Sequence, residues 1–312
     1  MEFSALLNTV TTLFILMAVG FTANKIGIID EIASKRLSKL IISIGQPCLI
    51  ISGLIKIEYS TENLKLGLTT LLFGFLFHII MSLIAFFACR PIRELDRQKL
   101  SEFMMIFGNV GFLGFPIYES LFGAKGLFMG AFMIVSFNIT LWTWGIAILA
   151  RGRSDIKMTV KKVFINYGTV PSAIGITIFL LNLKLPVFVT NTTGYLANLC
   201  TPISTLIIGA LLGRSQLVKI FTTAKIYYVM AMKLVIVPLG MCLLTKLLGL
   251  STELALFLTA ACAMPSATNV SMLAELHNID PEYSAQTVGM TSVMSILTIP
   301  LIMMTAKLIF NV

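Results

Sequence analysis

The stretch FGNVGFLGFPIYES, residues 107–120, places three glycines, an asparagine and a proline inside an otherwise apolar run. A proline in a helix interior removes a hydrogen bond and clashes with the preceding turn at about 3 kcal/mol, and each glycine costs up to about 1 kcal/mol relative to alanine. A straight helix here is disfavoured by roughly 6 kcal/mol in sum. Backbone freed by a break cannot face lipid, so it must be buried in protein or line a water-filled cavity. A mid-membrane break therefore reads as a binding site: freed amides and a positive half-helix end receive an anion, and freed carbonyls hold a cation. The competing reading is a packing kink, because small residues let membrane helices approach closely.

The rest of the chain supports a membrane setting. Of 312 residues 57% are apolar and only 12% charged, and the mean hydropathy is +0.94, far outside the range of a soluble domain. A span needs about 20 mostly apolar residues, and ten can be placed: 5–26, 37–54, 64–89, 100–122, 126–150, 163–181, 188–212, 220–248, 254–276 and 283–310. No alternating strand pattern competes with an all-α polytopic reading. The first span lacks a basic leader and a small-residue cleavage site, so it is expected to stay in the mature protein. The longest polar run is 151–162, which gives a first half over 1–151, a short connecting loop over 152–162 and a second half over 163–312.

The net charge of +9 is scattered through short loops, which argues against nucleic acid as a partner. Sixteen Lys and Arg fall in the odd-numbered loops, six in the even loops and tails, and Lys233 inside span eight. By the positive-inside bias the odd loops face the cytoplasm and both termini lie on the extracytoplasmic side of the cell membrane. Five spans per half then make the halves face opposite ways, the inverted repeat of many secondary transporters. The breakers repeat accordingly. Span two carries ISIGQPCLIIS and span seven NLCTPISTLIIG, while span four has Pro116 and span nine ACAMPSATNVSMLAE with Pro265. Pro47 and Pro202 are 155 residues apart, and Pro116 and Pro265 are 149 apart.

Asn109 beside one break, and Ser266, Thr268 and Asn269 beside the other, are neutral donors and acceptors that bind a carboxylate without burying a fixed charge. With Gly111, Pro116, Pro265 and Gln46 of span two they form the expected substrate-binding set. The remaining polar residues of the spans, His78, Asn138, Glu119, Glu275 and Lys233, are candidates for ion or proton coupling. A packed histidine, solvated interfacial glutamates and a snorkelling or internally paired lysine are the plainer readings. The five cysteines lack metal or redox spacing and read as buried apolar residues. No GxSxG, HExxH, phosphate-binding loop or paired-carboxylate motif is present, so neither an enzyme nor a cofactor is expected beyond Na⁺ or H⁺ as a coupling ion.

Three segments, 24–54, 108–145 and ACAMPSATNVSMLAE, resemble the auxin efflux carrier family in its bacterial branch of organic-acid, malonate- and malate-type permeases. The resemblance extends over essentially the whole chain, and the GN-x-GF-x-G-x-P segment is its most specific part. It implies ten helices in two inverted five-helix repeats, with discontinuous helices four and nine crossing at their breaks. It also implies elevator-type carriage of a small organic anion, a mono- or dicarboxylate. Spans three to five and eight to ten would form the moving part. Spans one, two, six and seven would form a scaffold that often supplies a homodimer surface. Carried onto this chain, the crossover residues are Asn109, Gly111, Pro116, Pro265 and Asn269. The long loop of the plant members is absent, which weighs against auxin as substrate. A channel-like pore, or a sodium-coupled carrier of another substrate like the bile-acid symporters, remains the alternative.

Overall fold

The computed structural model describes residues 3–154, 156, 164–214 and 223–312. Most of the connecting loop and the beginnings of spans six and eight, as placed from sequence, lie outside these residues. The described residues are all-helical and contain no strand, apart from one isolated bridge at the centre of the molecule.

The helices follow the apolar spans. Span one is Phe3–Lys25 and span three Thr61–Ala88. Span two runs through Glu31–Leu40, a π-helical turn Ile41–Gly45 and Gln46–Ile55. Span four begins as Leu95–Ile106 and resumes, after its break, in the helix Gly114–Thr140, where Gly123 at φ 62° turns the chain into span five. Beyond Leu180 come span seven in two pieces, Val187–Asn198 and Cys200–Arg214, and span eight, Ala224–Leu247. Span nine is likewise two pieces, Thr252–Ala263 and Thr268–Leu276, and span ten is Pro281–Phe310. Among the described residues seven helical runs are long and apolar enough to cross a membrane, and the shorter apolar helices Thr169–Leu180 and Thr252–Ala263 belong to spans six and nine.

Local chemistry explains several boundaries. Asp30 and Ser60 each accept a backbone N–H three residues on, at 2.7 and 3.0 Å, and so cap the helices that follow. Pro47 and Pro238 stand two residues after the π turns Ile41–Gly45 and Met232–Ile236. A proline ring collides with the carbonyl four residues back, and a widened turn relieves that collision without breaking the helix. At Pro202 the helix is instead interrupted, at Leu199.

Packing repeats with a five-span offset. Span one lies along span seven as span six lies along span two, and span three packs on span five as span eight packs on span ten. Span three presents Leu68, Leu72, Leu76, Ile79 and Leu83 outward. It buries Gly67, Thr70, Gly74 and His78 inward. This inside-out amphipathicity suits lipid outside and close helix packing inside.

Candidate functional site

The two breaks meet. Gly108 and Ser266 form an antiparallel bridge, in which Asn109 N–H donates to Pro265 O at 2.6 Å and Ala267 N–H to Phe107 O at 2.9 Å. A Cβ on Gly108 would stand 3.3 Å from both Lys233 Nζ and Met264 Cβ, so a glycine permits this approach. The ring of Tyr118, from the second half of span four, packs 4.8 Å from Phe257 of span nine.

Three carbonyls in the last turn of Leu95–Ile106 have identified partners. Phe103 O accepts from Phe107 N–H at 2.9 Å, Met104 O from Ser266 Oγ at 3.2 Å, and Met105 O from Lys233 Nζ at 3.1 Å. Lys233 is fully buried and places its ammonium where a helix C-terminus is negative. On the other side, Asn109 Oδ1 accepts from Phe112 N–H at 3.2 Å and Asn109 O from Gly114 N–H at 3.0 Å, which starts the second half of span four. Ser266 N–H donates to Thr291 Oγ1 at 3.3 Å. Among the described residues, the buried Asn109 Nδ2 has no hydrogen-bond partner.

Next to the crossing lies a cavity of about 490 Å³, within the range of small-molecule sites. Three helical stripes build it: Ser34, Lys35, Ser38 and Ile41 from span two, Ser204, Ile207, Leu211 and Arg214 from span seven, and Thr268, Ser271, Met272 and Glu275 from span nine. Phe112, from the break of span four, also lines it. Thr268 opens the helix Thr268–Leu276, which has no side-chain cap, so the positive end of that half-helix stands at the cavity wall. The charged rim is cross-linked. Lys35 Nζ lies 2.7 Å from Glu31 and 2.9 Å from Glu275, and Arg214 Nη1 lies 3.9 Å from the other Glu31 oxygen.

Of the residues expected from sequence, Asn109, Pro265 and Ser266 meet at the crossing, whereas Thr268 and Glu275 line the cavity. Gly111 lies inside the span-four break and Pro116 in the first turn of the helix that follows it, Asn269 follows Thr268, and all three are partly exposed. Gln46 is buried just after the span-two π turn. His78 donates from Nδ1 to Gly74 O at 2.7 Å among Phe77, Phe107 and Phe137, and its Nε2 has no partner among the described residues. Asn138 donates to Ile134 O at 2.8 Å and packs on Gly168. Glu119 is exposed and lies 3.4 Å from Lys56. In the sequence Lys35 and Arg214 count only among the topology charges of the odd-numbered loops, and Ser34, Ser38, Ser204 and Ser271 belong to no motif. The signal lay in their spacing, since polar residues at i, i+3, i+4 and i+7 share a helix face.

Crossed broken helices in an all-helical membrane fold, beside a cavity with cationic side chains at its rim, define a membrane transport protein. The sequence profile of the family described as membrane transport protein matches residues 5–303, and the chain belongs to that family, the auxin efflux carrier family its motifs resemble. It is 24% identical to an uncharacterized transporter of Methanocaldococcus jannaschii, over 95% of this chain and 97% of the relative. It is 23% identical to an uncharacterized transporter of Methanothermobacter thermautotrophicus, over 96% and 98% of the two chains.

Proposed function

We propose that the protein is a secondary carrier of a small organic anion, a mono- or dicarboxylate, in the organic-acid permease branch of its family. The observation that carries this reading is the cavity itself. Its wall combines Lys35, Arg214 and the positive end of Thr268–Leu276 with serine hydroxyls, a set that solvates a carboxylate and offers further hydrogen bonds to the rest of a small ligand. The substrate binds between spans two and seven on one side and the four/nine crossing on the other. Elevator-type movement of spans three to five and eight to ten then carries it across the cell membrane. The rim belongs to the odd-loop side, so this conformation opens to the cytoplasm, with both termini outside. A homodimer would form through the scaffold spans. A bound anion near the crossing reaches the free Nδ2 of Asn109, and Na⁺ or a proton is the candidate coupling ion.

The test is a thermal-shift screen of detergent-purified protein with malonate, malate and acetate, each with and without Na⁺ and at two pH values, followed by flux in proteoliposomes. Binding stabilises by mass action, so substrate and coupling ion register together. Asn109→Ala and Asn269→Ala are expected to abolish flux while leaving a folded, inserted protein. Full flux in both variants refutes the placement of the substrate at the crossing.

A further inference from the structure

The carrier reading leaves open what selects the charge of the cargo, and the cavity rim contains a device for it. Four charged side chains from three spans form one chain of contacts: Glu275 to Lys35, Lys35 to Glu31, and Glu31 to Arg214. The cations are therefore occupied by the protein's own carboxylates. A single carboxylate, that of Glu31, already faces both cations, with one oxygen on Lys35 and the other toward Arg214, so a ligand carboxylate has the right size to do the same. Among the described residues two buried polar atoms of cavity-lining side chains lack partners, Arg214 Nε of span seven and Ser34 Oγ of span two, and Ser34 is only 3% exposed. An unpaired guanidinium N–H and an unpaired hydroxyl are donors awaiting an acceptor. Glu275 stands on the second half of span nine and Lys35 on span two, so their pair ties together two walls of the cavity.

We propose that Lys35 and Arg214 are the charge-selecting residues of the carrier, and that Glu275 is a resident competitor which an incoming carboxylate displaces from Lys35. The ligand carboxylate takes the Lys35 ammonium and the Arg214 guanidinium, with Ser34 Oγ–H as a further donor. Its arrival opens the tie between span two and span nine. Neutral and cationic solutes cannot take Lys35 from Glu275, so they leave the tie closed. The selection rests on the carrier reading above, because it assigns roles within the same cavity.

The prediction is one of opposite signs. Lys35→Gln and Glu275→Gln both abolish the same ion pair, but the first removes the ligand's partner and the second its rival. With malonate as the probe, Lys35→Gln and Arg214→Gln are expected to raise the concentration for half-maximal thermal stabilisation by roughly tenfold or more, the worth of a charge-assisted hydrogen bond. Glu275→Gln is expected to lower it, and Lys35→Arg, which keeps the charge, to hold it near the wild-type value. A shift in the same direction for Lys35→Gln and Glu275→Gln reduces the pair to a structural clamp and overturns the proposal, while carboxylate flux by the wild type keeps the carrier reading. If malonate, malate and acetate neither stabilise the wild type nor cross with it, the carrier reading fails and this assignment falls with it.

Discussion

Spans one and seven touch backbone to backbone through two glycines, and this contact gives the sharpest test of the packing. A Cβ on Gly209 would run into the Met17 carbonyl oxygen and lie 2.7 Å from Phe21 N and 2.9 Å from the Met17 carbonyl carbon. A Cβ on Gly20 would run into the Leu206 carbonyl oxygen and lie 2.7 Å from the Leu206 carbonyl carbon and Cα. Carbon contacts are comfortable at about 3.5 Å or more. Every obstructing atom is main chain, so no rotamer change helps and the helices must part. Overpacking costs about 1–3 kcal/mol, and the replacement returns up to about 1 kcal/mol of helix propensity. The obstructing atoms are main chain, which puts the cost at the upper end of that range, and the expected net loss for Gly209→Ala or Gly20→Ala is therefore about 2 kcal/mol. In a chain of this length that lowers Tm by about 2–4 °C. The two changes push the same helices apart, so the second costs less once the first is made. Gly194 and Gly240 lie in helices with nothing within 4 Å of the added Cβ, and Gly194→Ala and Gly240→Ala are expected to be neutral or stabilising. Thermal unfolding in detergent checks all four variants and the Gly20/Gly209 double variant. Because Ser204, Ile207, Leu211 and Arg214 share the helix of Gly209, Gly209→Ala is also expected, under the carrier proposal, to weaken stabilisation by malonate. A Tm for Gly209→Ala that rises like the controls would refute the close approach, and with it the position of that cavity wall.

Two further substitutions probe buried polar pairs. Thr291→Val removes the acceptor of the Ser266 N–H and leaves a buried donor unmade, at about 1–3 kcal/mol. Thr291→Ser keeps the oxygen and is expected to unfold near the wild-type temperature. Arg151→Met strands Glu102, whose side chain is 4% exposed and whose Oε2 lies 2.6 Å from the guanidinium, with an expected loss of about 3 kcal/mol. Adding Glu102→Gln should restore most of that loss in the same unfolding assay.

The breaks were legible in the sequence because their cause is local. Glycine and proline state a backbone preference whatever surrounds them, and at Pro116 and Pro265 the preference recurs in both halves. That the breaks cross was implied by the family resemblance, since freed backbone by itself asks only to be buried in protein or to line a cavity. What the partners are did not follow. Asn109 looked like a ligand donor, yet its Oδ1 serves the Phe112 amide and only Nδ2 is left free. For Lys233 the sequence leaves snorkelling and an internal partner both open, and that the partner is the Met105 carbonyl depends on how span eight is rotated against span four. The cavity was the least legible feature. It is made of stripes from three spans, and the residues of a stripe acquire a common purpose only when the rotation of each helix is fixed by packing. Lys35 and Arg214 carried a second meaning, as topology charges, which masked their place at the rim.

The bonding at the crossing also bears on how such a molecule could move. Of the groups that the break in span four leaves open, Phe107 O, Met104 O and the Asn109 amide are all satisfied by residues 265–267, and Met105 O by Lys233. Each half thus completes the other's backbone. Separating the halves at this point would expose several buried groups at once, each at about 1–3 kcal/mol. The rim differs. Lys35, Glu31 and Glu275 are about half exposed, and exposed ion pairs contribute only about 0–1 kcal/mol. Under the movement proposed above, the crossing must travel as one body and the Lys35–Glu275 tie is the contact that yields. On that proposal, the strong bonds stand where a shift would destroy the site and the weak ones where the moving part slides past spans two and seven.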